Sequence, residues 1–294
     1  MPRFPRPLSR ALDRWLVACD NPAMSIWIKL AVGAAVVYAV VALAAFLGQR
    51  KLMYFPDTER AEPSEEGLTG VAERTIETPD GHRLVAWYGK ARQGKPTLLY
   101  FHGNAGNLAD RAPRIARFMG ESWGVYMLSY RGYGGSTGSP SEAANVADAR
   151  LAYHALLKEG VPPASIVAYG ESLGSGVAVR IAAELAVAGI ILDAPFTSIS
   201  EIAARAYPFL PVRLLLIDRY ESTRYIGAIK SPLLILHGAR DGIVPVALGR
   251  ELARLAPEPK TLVVFPDGNH SDLYVNGNNA IDTVRAWIDR LGGG

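Results

Sequence analysis

Cysteine is nearly absent from this 294-residue chain. The single residue, Cys19, excludes an intramolecular disulfide but leaves every redox compartment open. Histidine is sparse too. Its five copies, His82, His102, His154, His237 and His270, include no pair four residues apart, and no Cys/His cluster has zinc-site spacing. Charged residues make up 20% of the chain and the net charge is only +3, so no nucleic-acid partner is expected. No internal repeat or low-complexity tract interrupts the sequence. What is abundant is apolar: 49% of residues, enough for one large α/β core and an added hydrophobic segment.

That segment is easy to find. From Leu30 to Leu47 every residue is aliphatic, Gly, Phe or Tyr. At about 1.5 Å per residue the run spans roughly 27 Å, close to the hydrocarbon thickness of a bilayer. Ile26, Trp27 and Ile28 extend it, and Lys29 can snorkel. Gln49-Arg50-Lys51-Leu52-Met53-Tyr54-Phe55 follows, with the basic and aromatic character of a membrane interface. A core helix is disfavoured, because the run is hydrophobic on all sides. Ala42-Leu43-Ala44 looks like a signal-peptide cleavage site, but the residues before the apolar core are too many and the core is long. The expectation is an uncleaved transmembrane helix over residues 26–48, after a basic segment at 1–25. Arg3, Arg6, Arg10, Arg14 and Lys29 outnumber Arg50, Lys51 and Arg60. The positive-inside rule then keeps the N-terminus cytoplasmic and puts the rest of the chain across the membrane.

Residues 49–73, polar and acidic from Pro56 onward, read as a linker onto a domain at 74–294. Within that domain short apolar runs at 74–78, 84–89, 97–101, 125–129, 166–169, 190–193, 233–237 and 261–265 predict strands. Amphipathic stretches at 108–119, 141–158, 173–185, 246–255 and 280–291 predict helices between them. The alternation implies a mostly parallel eight-stranded sheet covered on both faces. About forty residues between Asp193 and Leu233 leave room for a short cap of one or two helices. Its stretch from Tyr207 to Ile217 is apolar enough to be a pocket wall, a bilayer contact or ordinary core.

The chemistry centres on Gly170-Glu171-Ser172-Leu173-Gly174. As a string, Gly-x-Ser-x-Gly is weak evidence. Between an expected strand and an expected helix it is a nucleophile turn, in which the glycines make room and Ser172 stands above the sheet at a helix N-terminus. A serine hydroxyl needs a base, and the base needs an orienting acid. Asp241 follows the run at 233–237, and His270 follows the run at 261–265, in the chain order such a site uses. Both lie at carboxyl ends of strands, where parallel sheets build sites. Asp193 is the rival acid, less favoured because it ends the earlier strand. An oxyanion hole needs two backbone N–H groups. Leu173, directly after the nucleophile, supplies one, and Asn104 in His102-Gly103-Asn104-Ala105-Gly106 the other, with Ala105 next to it.

Together with Tyr130-Arg131-Gly132-Tyr133-Gly134-Gly135-Ser136, His237-Gly238-Ala239-Arg240-Asp241-Gly242-Ile243-Val244-Pro245 and Gly268-Asn269-His270, these segments resemble the α/β-hydrolase superfamily. The resemblance runs over about residues 74–291 and leans toward its membrane-anchored, protein depalmitoylase-like members. It implies hydrolysis of an ester, thioester or amide, possibly lipidated, without metal or organic cofactor. It also makes His102 and His237 structural residues of their loops. His82 and His154 are expected to face solvent, and Asp267 and Asp272 to lie in a solvated loop. Three readings follow: an ester or thioester hydrolase, a serine peptidase, or a silent binding module on the same fold. An intact Ser172, Asp241 and His270 argues against the last.

Overall fold

The apolar runs assemble as the alternation requires. The computed structural model describes residues 22–275, 277 and 279–291, and of residues 22–25 only the backbone. The basic segment expected at 1–25 therefore lies largely outside the described residues. The chain divides into two units, Met1–Gln49 and Arg50–Gly294.

The described part of the first unit is helical. Helix α1 runs Pro22–Met53, with Arg50 and Lys51 in its last turn. Its stretch Ile26–Met53 has a hydropathy of 2.6, no burial in its most apolar window, and length enough to cross a membrane. The helix passes the expected end at residue 48. Gln49 to Met53 are good helix formers with no Gly or Pro among them, and Pro56 is the first residue able to stop the helix.

In the second unit eight strands form one sheet. They are β1 (Val71–Glu77), β2 (Arg83–Gly89), β3 (Thr97–Phe101) and β4 (Gly124–Leu128), then β5 (Ile166–Glu171), β6 (Gly189–Asp193), β7 (Leu233–Gly238) and β8 (Lys260–Phe265). Their order is β1-β2-β4-β3-β5-β6-β7-β8. Only β1 with β2 and β2 with β4 pair antiparallel; the other pairings are parallel. This is the α/β-hydrolase fold.

Alternation along each strand divides the core in two. Leu99, Phe101, Ala168, Ile190, Leu192 and Ile235 face one cluster, which helices α3 (Glu142–Lys158), α4 (Leu173–Glu184) and α8 (Val246–Leu255) cover. Leu98, Tyr100, Val167, Tyr169, Ile191 and Leu236 face the other, under α2 (Ala112–Gly120) and α9 (Ala280–Leu291). Burying each large apolar side chain stabilises the fold by about 2 kcal/mol, before conformational entropy is set against it. Between β6 and β7 lies the cap. It carries three short helices, one more than the upper expectation: α5 (Ile199–Ala206), α6 (Val212–Leu215) and α7 (Ser222–Tyr225).

Residues 50–73 are not the spacer that their composition suggests. Met53, Tyr54 and Leu68 are buried, and Phe55–Pro56 pairs in parallel with Ala105–Gly106. β1 starts at Val71, three residues before the expected boundary at 74. Acidic, proline-containing sequence reads as solvated, yet this stretch is held by backbone pairing that needs no apolar side chain.

Candidate active site

The carboxyl ends of β3, β5, β6, β7 and β8 lie along one edge of the sheet, and the chemistry-bearing residues collect there. β5 ends at Glu171 and α4 begins at Leu173, leaving one residue for the reversal. Ser172 takes it with φ +50° and ψ −117°, a conformation that costs a non-glycine residue about 1–3 kcal/mol. Its N–H donates to the Asp193 carbonyl (2.8 Å) and its carbonyl accepts from the Ser175 N–H (2.8 Å), which hold the strain in place. The turn closes only because its flanks lack side chains. A Cβ on Gly174 would sit 2.0 Å from the Phe101 carbonyl oxygen, and one on Gly170 would sit 2.5 Å from that of Gly174.

Ser172 Oγ lies 2.9 Å from His270 Nε2, and His270 Nδ1 lies 2.7 Å from Asp241 Oδ2. The other Asp241 oxygen accepts the N–H groups of Ile243 (2.8 Å) and Val244 (2.7 Å). Burial alone would raise the Asp241 pKa. Hydrogen bonds from His237 and His270 outweigh burial and hold this carboxyl well below the usual carboxylate range. Burial likewise opposes charge on His270, but the bond to Asp241 and the charges of Asp241, Asp193 and Glu171 raise its pKa above 6.5. An ionised acid thus orients an imidazole that can take the serine proton.

Asp193 has other partners. It accepts from Arg114 (3.0 Å) and from the Tyr169 hydroxyl (2.9 Å), and it reaches His270 only through its field. Asp267 is exposed and paired with Arg240, while Asp272 accepts the Asn269 N–H (2.7 Å) and so shapes the turn ahead of His270. His237 is fully buried and donates from Nε2 to the Val244 carbonyl (2.8 Å), bracing the Asp241 loop. His154 is exposed as expected. His82 is only half-exposed, because Gly138 packs against its ring.

The direction of the Asn104 N–H, the second donor expected from the sequence, is set by peptide planarity. His102 is buried, and burial lowers its pKa to about 3, so its ring is neutral. Its Nδ1–H donates to the Gly103 carbonyl (2.7 Å), and its Nε2 accepts the Tyr130 N–H (3.3 Å). The Gly103 carbonyl and the Asn104 N–H belong to one trans peptide and point in opposite directions. Fixing the first aims the second. The Asn104 side chain turns the other way, donating to the Met53 carbonyl (2.8 Å). That leaves the Asn104 backbone N–H as the group of this residue that a donor role would use. Ala105 is held differently, its carbonyl accepting from Arg111 (2.7 Å).

Beneath the serine lies a largely half-buried charge cluster that pattern reading missed. Glu171 pairs with Arg111 and Arg114 (both 3.3 Å), Arg114 also with Asp193, and the Tyr100 hydroxyl bonds Glu171. Burial would raise the Glu171 pKa, but the two arginines bring it down to about 2. The signal was thin: two arginines beside the apolar face of α2. Arg114→Leu would take from the buried Asp193 its arginine partner and leave Glu171 with Arg111 alone. We expect it to lower unfolding free energy in urea by about 3–5 kcal/mol. A loss under about 1 kcal/mol would mean that the carboxylates do not depend on the arginine for their charge. Among the described residues no His/Cys/Asp/Glu cluster could hold a metal ion.

The fold is that of a hydrolase, and the comparisons with known proteins agree on it. Residues 96–213 match the alpha/beta hydrolase fold family. An uncharacterized protein of Mycobacterium tuberculosis (strain H37Rv) is 38% identical over 263 residues, covering 86% of this chain and 94% of that protein. The lysophosphatidylserine lipase ABHD12 of Danio rerio is 30% identical over 279 residues, covering 81% of this chain and 72% of that enzyme. A Pyrococcus furiosus esterase shares the fold with a TM-score of 0.62 at 22% identity, over 82% of this chain and 97% of the esterase. The chain belongs to the α/β-hydrolase family.

Proposed function

We propose that this protein is a membrane-anchored serine hydrolase that cleaves carboxylic ester or thioester bonds through an acyl-enzyme intermediate. The observation that carries the reading is the unbroken chain Ser172–His270–Asp241, with 2.9 and 2.7 Å links, on a serine held at positive φ. His270 takes the Ser172 proton as Oγ attacks the acyl carbon, and the leaving alcohol or thiol takes that proton as its bond breaks. Water then adds to the acyl-enzyme, His270 accepts its proton, and Ser172 leaves with a proton to regenerate the hydroxyl. The Leu173 and Asn104 N–H groups face the oxyanion in both steps.

Three further features support the substrate class and setting. The Danio rerio relative is named as a lipase. The cap exposes Phe209 (63%), Leu214 (80%) and Ile217 (55%), suited to a bulky acyl group. α1 has the length and hydropathy of a membrane span, and its flanking charges favour a cytoplasmic N-terminus with the hydrolase unit on the opposite side. Full-length protein in detergent micelles should hydrolyse p-nitrophenyl esters and acyl thioesters at least about 100-fold faster than aminoacyl anilides, given the poorer leaving group of an amide. Equal or greater turnover of the anilides would replace this reading with a peptidase.

A further inference from the structure

We propose that the segment leaving the apolar helix, residues 53–57, together with Tyr133, is a positioning element of the oxyanion hole; this rests on the hydrolase reading above. The Asn104 N–H lies in the Gly103–Asn104 peptide plane, and the next plane, joined to it through the Asn104 Cα, limits how far the first can rotate. His102 fixes the plane on the Gly103 side. The other, Asn104–Ala105, is gripped from outside the loop. Its carbonyl accepts from the Phe55 N–H (2.9 Å) and from the Tyr133 hydroxyl (2.7 Å). Phe55 and Pro56 then run in register with Ala105 and Gly106, and the Asp57 N–H donates to the Gly106 carbonyl (3.1 Å). The Asn104 side-chain amide completes the clasp on the Met53 carbonyl (2.8 Å).

The clasp has a fixed seat of its own. Arg50 donates to Asp218 (2.9 Å), and the Tyr54 hydroxyl lies 3.2 Å from Asp218 and 3.0 Å from the Tyr220 hydroxyl. Asn145 donates to that same Tyr220 oxygen (2.9 Å). Residues 53–57 are therefore pinned on the cap side before they reach the loop. None of these groups is bonded to Ser172 or His270. They act through the aim of one N–H, which matters most once the carbonyl oxygen carries charge.

This makes a distinctive signature, because Asn104→Ala removes the side-chain clasp and retains the backbone N–H. In full-length protein in micelles, Asn104→Ala and Tyr133→Phe should each lower kcat for p-nitrophenyl butyrate about 10- to 100-fold. KM should stay within about twofold. Phenylboronic acid, whose serine adduct is tetrahedral, should lose affinity by the same factor as kcat/KM. Tyr54→Phe, which loosens only the seat, should move both quantities the same way by a smaller factor. Tyr153→Phe removes a half-buried bond to the Ala186 carbonyl elsewhere, and it should leave kcat and boronate affinity unchanged. Asn104→Ala and Tyr133→Phe with wild-type kcat and boronate affinity overturn the inference. So does a fall in kcat that leaves boronate affinity intact. If Ser172→Ala still turns over the ester, it is the hydrolase reading that fails, a result separate from either of these.

Discussion

Ser172→Ala should abolish covalent labelling by a fluorophosphonate and reduce ester turnover by about a millionfold. The expectation follows from the turn as much as from the hydroxyl. The reversal between β5 and α4 gives position 172 a φ of +50°, and only a side chain there meets His270 Nε2 at 2.9 Å. The nearby Ser175 hydroxyl is buried, has no hydrogen-bond partner and sits inside α4, so it cannot substitute. Alanine is smaller than serine and suits the same backbone, so the variant should fold with unchanged unfolding free energy. The paired measurement is gel labelling plus kcat. Labelling that survives in the folded variant would falsify the nucleophile assignment.

Asp241→Asn should be nearly as damaging, with kcat falling about ten-thousandfold, because the amide favours the wrong imidazole tautomer. A second readout identifies the cause. In the native protein Asp241 and its neighbours hold the His270 pKa above 6.5, and the base works only when neutral. The acid limb of kcat/KM should therefore lie above pH 6.5, with activity rising as pH rises through it. Without the carboxylate, burial dominates and lowers the His270 pKa, so the limb should move to lower pH in Asp241→Asn. Asp193→Asn should affect stability more than the profile, because Asp193 is committed to Arg114 and Tyr169. A limb that moves with Asp193 and stays put with Asp241 would exchange their roles.

Much of this was legible because parallel sheets write themselves plainly. Each buried strand is a short apolar run, and the residue just past it is where chemistry can stand, so Ser172, Asp241 and His270 could be placed in order. Asp241 could be preferred over Asp193 from chain order, and it is Asp241 that lies within hydrogen-bond distance of the His270 ring. Other features left little trace. Residues 50–60 read as a basic and aromatic membrane interface running into a polar linker, but their role runs through backbone N–H and C=O groups, which leave no side-chain pattern. Tyr54 is ordinary until Asp218 and Tyr220, over 160 residues away, come within hydrogen-bond distance of it. Arg111 and Arg114 look like the wet side of α2. They become internal because Glu171 and Asp193 bring charges to the ends of adjacent strands. The third cap helix escaped because a four-residue helix such as Val212–Leu215 has no periodicity to read.

The two-residue parallel pairing of Phe55–Pro56 with Ala105–Gly106 has a consequence for how freely this protein can be taken apart. An anchor is commonly regarded as a detachable module, exchangeable for another or cleavable to release a working enzyme. Here the interchangeable part ends before Arg50. A protease cutting between Tyr54 and Asp57 would sever the apolar helix and, in the same event, part the segment that grips Asn104 from its seat, leaving Tyr133 as the remaining hold. On the proposed reading, release from the anchor at those bonds is also a means of switching the hydrolase off.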